Sequence, residues 1–132
     1  MRWDASPSAG FTAAGVTPWL PYGDQQSVNV AAERADLGST LHLCRDLLAL
    51  RRAELGGQLA SYTQLPSSPA LWSYQTGGLT VLANFTDSPV RLAEPVAELG
   101  EVLVSTAPAG AAAEAGVLAP WSGIVARTET GD

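Results

Sequence analysis

The spacing of apolar positions changes character twice along the chain. From residue 1 to 38 it has no sustained period. "MRWDASPSAGFTAAGVTPWLP" scatters Trp3, Phe11, Trp19 and Leu20 among Ser, Pro and Gly, and "YGDQQSVNVAAERAD" continues without a stripe. We read these residues as irregular. Loops longer than about 12–15 residues are uncommon in compact domains and are usually functional or disordered. The aromatics argue against disorder, because they need an apolar surface to lie on.

Residues 39 to 55, "STLHLCRDLLALRRAEL", carry a helical period. Ser39 is placed to cap the N-terminus, and Gly56-Gly57 to stop the helix. Leu41, Cys44, Leu48 and Leu55 form one stripe, with Leu43, Leu47 and Leu50 beside it. That face is wide for a helix of about 25 Å, so it expects burial against something large. Arg51 and Arg52 suit the negative end of the helix dipole.

After residue 57 the period becomes two. "GQLASYTQL", "ALWSYQTG", "LTVLANFT", "PVRLAE", "GEVLVST" and "WSGIVART" are short β-type runs separated by Gly, Pro, Ser and Asp. Gly77-Gly78 joins two of them as a hairpin. "APAGAAAEAG" is low in complexity and reads as a surface loop. Trp72 and Tyr74 alternate onto one face, which we assign to the core. The predicted fold is mostly β: an antiparallel sandwich preceded by a long loop and one α-helix.

Composition narrows the function classes. The 132 residues suit one domain, and 46% apolar content is that of a globular chain. A net charge of −6, with seven arginines and no lysine, argues against nucleic-acid binding. No apolar run approaches a membrane span, and Arg2 has no apolar stretch behind it of the secretory kind. Cys44 is the lone cysteine, so no disulfide framework exists. We therefore expect a reducing, aqueous compartment, the cytoplasm.

Candidate chemistry is sparse. His42 and Cys44 stand at i and i+2, on different helix faces, so a packed thiol and a partly exposed imidazole are expected rather than a dyad. No metal-ligand spacing, phosphate loop or nucleophile elbow occurs, and neither metal nor cofactor is expected. "NFT" at Asn84–Thr86 fits the glycosylation pattern but reads better as a strand ending in a turn. Asp4, beside Trp3, could meet a sugar; organising a local turn is the simpler role.

"MRWDASPSAGF", "PWLP", "VNV", "LLALRR", "SYTQL", "LWSYQ" and "VLANFT" occur in this order and together make a family pattern. The chain resembles the C-terminal part of the α-glucosidase and oligo-1,6-glucosidase branch of glycoside hydrolase family 13, the α-amylase family. The resemblance implies a barrel-mouth loop region at 1–38, a terminal (β/α)8-barrel helix at 39–56 and an antiparallel β domain of the domain C type at 57–132. The family's catalytic carboxylates lie on earlier strands, and no residue here matches them, so no catalytic residue is carried over. Arg2 stands where relatives often have glutamine. Because this loop borders the sugar site in the family, the resemblance makes Arg2, Trp3 and Asp4 candidates for a substrate-pocket rim.

Three readings follow. The first is a fragment of an α-glucosidase-like hydrolase, inactive alone, whose missing partner is the catalytic barrel and whose substrate is an α-glucoside oligosaccharide. On that reading Met1 is an internal methionine. The second is a stand-alone sugar-binding module using Trp72, Tyr74 and Trp121. The third is a non-catalytic subunit completing a separate barrel. An apolar strip and helix without a partner also predict self-association.

Overall fold

The computed structural model describes residues 1–56, 60–92, 99–107 and 116–128. They form two helices, α1 (Val30–Ala35) and α2 (Thr40–Leu55), followed by seven strands: β1 (Tyr62–Gln64), β2 (Leu71–Thr76), β3 (Leu79–Asn84), β4 (Val90–Arg91), β5 (Leu99–Ser105), β6 (Val117–Leu118) and β7 (Gly123–Thr128). The contacts divide the chain into two compact units, Met1–Asp46 and Leu47–Asp132, with the boundary inside α2.

The first unit is mostly loop, held by backbone hydrogen bonds in place of a large apolar core. The Trp3 N–H donates to the Ala9 carbonyl (2.7 Å), and the Ala31 N–H donates to the Trp3 carbonyl (2.9 Å). Ala9 and Gly10 both take left-handed conformations, φ 50° and 60°. At Gly10 a Cβ would come within 2.8 Å of Asp4 Oδ2, so glycine is required there sterically as well as conformationally.

One expectation fails in this unit. Residues 30–35 are not irregular but form α1, whose N-cap is Asn29. Asn29 Oδ1 accepts from the Ala32 N–H at 2.9 Å, and its Nδ2 donates to the Gln25 carbonyl at 2.9 Å. Six alanine-rich residues with a good cap suffice when neighbouring backbone supplies the remaining bonds.

Helix α2 starts where its sequence predicts. Ser39 Oγ accepts from the His42 N–H and Gly56 takes φ 56° at the other end. No residue of α2 is fully buried: Cys44, Leu47 and Leu48 are exposed, and Leu41, Leu43, Leu50 and Leu55 are only partly covered. Cys44 is exposed, which corrects the expected packed thiol. The thiol lies on the same uncovered stripe as Leu48.

The second unit is the sandwich. Strands β1-β2-β3-β7-β5 make a five-stranded antiparallel sheet, and β4-β6 a two-stranded one. Leu71, Leu82 and Ile124 from the large sheet meet Leu92 and Leu118 to form the apolar core. The β2–β3 register pairs Thr76 with Leu79, which leaves Gly77-Gly78 as the two-residue turn. A Cβ on Gly77 would come within 2.7 Å of Leu55 Cδ2, and Arg127 binds Glu54 through two hydrogen bonds of 2.9 and 3.1 Å. These contacts fix the last turn of α2 to one end of the large sheet. The Ala/Gly-rich loop expected at 107–116 falls for the most part outside the described residues.

The inward face is the reverse of the one expected. Leu71 and Ser73 point into the core, while Trp72 is 46% exposed and Tyr74 is half-buried. Alternation correctly pairs Trp72 with Tyr74, but the core is already filled by Leu82, Leu118 and Ile124. Two large rings have no room there.

Candidate functional site

Of the residues singled out for chemistry, Arg2, Trp3 and Asp4 lie in the first unit. Arg2 Nη1 donates to the Asp24 carbonyl at 2.9 Å, and Trp3 is partly exposed. Asp4 Oδ1 accepts from the Ser6 N–H at 2.9 Å, two residues on, the geometry of an Asx turn. The turn-organising role is thus what the structure displays for Asp4. Beside this turn lies an open cavity of about 860 Å³, lined among others by Ser6, Ser8, Val16, Trp19 and Tyr22. Tyr22 is fixed by an edge-on contact with Phe11 (6.4 Å between ring centres) and by a 3.0 Å hydrogen bond between its hydroxyl and that of Thr12. Trp19 is 92% exposed and has no such hold.

Two turn carboxylates of this unit are held below their ordinary range. Hydrogen bonds from Ser6 hold Asp4 below its ordinary value of 3.8, and hydrogen bonds from Ser27, its hydroxyl foremost, do the same for Asp24. A depressed folded-state pKa contributes order that is present above the unfolded value and lost as pH falls through the folded one. The Ser6 and Ser27 amide NMR shifts are therefore expected to hold steady down to about pH 4 and to move below 3.8. Asp4→Asn and Asp24→Asn should each remove the movement at its own serine. Amides that shift at neutral pH instead would contradict this assignment.

No group of three His, Cys, Asp or Glu side chains converges among the described residues to hold a metal. His42 Nε2 lies 3.2 Å from the Arg34 carbonyl, a helix-to-helix tie. Asn84 is 1% exposed and its amide is fully engaged, so it is no glycosylation acceptor; Thr86 donates to it through both N–H and hydroxyl, as the expected turn requires. No helix among the described residues is long and apolar enough to cross a membrane.

The second unit carries the aromatics that the sequence offered as an alternative sugar-binding surface, Trp72 and Tyr74, and adds Tyr62 and Phe85, which the sequence reading did not single out. Tyr62, Tyr74, Trp72 and Phe85 form a continuous row on the outer face of the large sheet, with ring centres 5.1, 5.0 and 6.3 Å apart. The signal lay in the alternation of β2, which puts Trp72 and Tyr74 on one side. Which side faced solvent could not be read from it.

Comparisons with known proteins agree with this architecture. Residues 60–125 match the family described as "Domain of unknown function (DUF3459)". A glucan 1,6-alpha-glucosidase of Streptococcus dysgalactiae subsp. equisimilis is 30% identical over 126 residues, covering 92% of this chain but 23% of that protein. The amino acid transporter heavy chain SLC3A1 of Mus musculus is 45% identical over 56 residues, 42% of this chain and 8% of its own length. Among solved structures, a trehalulose synthase superposes with a TM-score of 0.75 at 28% identity, covering 96% of this chain and 24% of its own. The chain thus spans about a quarter or less of the length of these relatives. With its antiparallel β unit, two preceding helices and a matching stretch over half its length, the chain belongs to the DUF3459 family and corresponds to the C-terminal region of glycoside hydrolase family 13 α-glucosidases.

Proposed function

We propose that this chain is the non-catalytic C-terminal part of an α-glucosidase-type hydrolase acting on α-glucosidic bonds of oligosaccharides. Its role there is structural. The observation that carries this reading is the alignment over 92% of the chain with a glucan 1,6-alpha-glucosidase, of which it covers 23%. On this reading residues 1–38 are loop at the barrel mouth, 39–56 the terminal barrel helix and 57–132 the β domain. Arg2, Trp3 and Asp4 contribute to the rim of the sugar pocket, and the barrel supplies the surface that α2 lacks. The barrel's place of work is the cytoplasm.

The test is reconstitution. The purified chain should give no turnover of an aryl α-glucoside. A glucosidase barrel cut at the corresponding point should gain solubility and activity when co-expressed with it. Activity that stays with the chain through purification to homogeneity would overturn the proposal.

A second reading, that of a non-catalytic subunit assembling with a separately encoded protein, draws on the similarity to a transporter heavy chain. Here the chain would co-purify with a partner that is not a glycosidase barrel, and the barrel would show no gain.

A further inference from the structure

We propose that the aromatic row Tyr62–Tyr74–Trp72–Phe85, continued by Trp121, is a binding platform for an α-linked gluco-oligosaccharide. The choice of an α-glucan rests on the proposed function above; the platform itself rests on three features of the β unit.

The first is the row. Four rings from two neighbouring strands, β1 and β2, and the turn after β3 follow one another at 5.0–6.3 Å, on the scale of successive sugar rings in a chain. Successive ring planes are tilted by 32°, 41° and 34° to one another. Aromatic faces are electron-rich and attract the weakly positive C–H faces of a pyranose, while the tyrosine hydroxyls and the indole N–H can meet its hydroxyls.

The second is neutrality. Strands β1, β2 and β3 contain no charged residue, and Gln64, cross-strand partner of Tyr74, is exposed beside the row. A neutral polyhydroxylated ligand fits this surface. A nucleic acid or a charged peptide would find no counter-charge on it, and the chain's net charge of −6 opposes polyanions in addition.

The third is Trp121. It adopts φ 51°, a left-handed conformation unfavourable for a bulky side chain, and is 68% exposed. Its N–H donates to the Thr86 carbonyl at 3.1 Å, which sets it at the Phe85 end of the row. A glycine here would relieve the backbone and give up a side chain that is mostly in solvent. An indole held outward at that cost is what a ligand-facing position requires.

The experiment titrates the full chain with maltotriose and isomaltotriose, reading indole and amide NMR shifts and measuring melting temperature separately. Millimolar binding with shifts clustered on Tyr62, Trp72, Tyr74, Phe85 and Trp121 is expected. Trp72→Ala should weaken it by about tenfold or more. Trp121→Gly should weaken it at least about fivefold while melting no lower than the parent, which separates binding from folding. Leu37→Ala, a change at an exposed residue outside the row, should leave it unaltered. No binding by either sugar, shifts elsewhere on the surface, or a dimer in which the row is protected would each overturn the platform. Failure here with successful barrel reconstitution removes the platform alone; binding without reconstitution removes the α-glucosidase reading and keeps the row.

Discussion

Asn84→Ala is expected to be the most damaging single substitution in the β unit, lowering its stability by about 3 kcal/mol. Asn84 closes a ring of bonds that no other side chain can replace. Its Nδ2 donates to the Ser88 carbonyl (2.8 Å) and the Ala119 carbonyl (2.9 Å), and its Oδ1 accepts from the Thr86 N–H (2.9 Å) and hydroxyl (2.7 Å). It thereby joins the end of β3 to the segment entering β7. Alanine strands these partners beside the core, where each lost bond costs about 1 kcal/mol. The melting temperature should fall by roughly 10–20 °C. Asn84→Asp is a sharper probe. A carboxylate keeps both acceptor bonds but faces two carbonyl oxygens, so its folded-state pKa is raised. The protonated form regains a donor, and stability should therefore recover as pH falls through that value. Denaturant unfolding of both variants across pH checks this; an alanine variant within about 1 kcal/mol of the parent would refute it.

Leu48→Arg is expected to leave the isolated chain unharmed and to abolish rescue of a truncated barrel. Leu48 is 51% exposed on a helix with no buried residue, so the change should fall within about 0.5 kcal/mol for the chain alone. If α2 is the helix that closes a barrel, the same position becomes interface core. An unpaired guanidinium buried there should cost more than 2 kcal/mol, a loss of at least about thirtyfold in recovered activity. Melting of the chain and activity of the co-expressed pair give the two readings. A variant that rescues as well as the parent would mean that the apolar stripe of α2 faces solvent in the working enzyme.

What the sequence made legible follows from physical scale. Helix α2 is long enough for a 3.6-residue period to repeat, and its ends carry a serine cap and a glycine, so its boundaries agree with the structure to within a residue. The β2–β3 hairpin is equally legible because Gly77-Gly78 admits few alternatives. Helix α1 is too short for a period to show; its one local signal was Asn29 ahead of an alanine-rich run. Alternation shows that Trp72 and Tyr74 share a face but carries no sign. The sign is set by Leu92 and Leu118, distant in sequence, which fill the core and leave the rings outside. Arg2, Trp3 and Asp4 stood out through family resemblance, and their neighbours Ala9, Asp24 and Ala31 come from folding back of the loop, which local patterns do not encode.

The two edges of the large sheet differ in how they could accept another strand. Strand β5 is broken by register shifts at Val102 and Val104 and carries Glu101, which spoils a template for pairing. Strand β1 has neither bulge nor charge, and only its length of three residues limits it. Among the described residues of the large sheet, strand addition from a second copy or a fibril therefore meets its open edge at a strand too short to be stable by itself. Copies of this chain that meet would then cohere through side-chain faces rather than by zipping backbone to backbone.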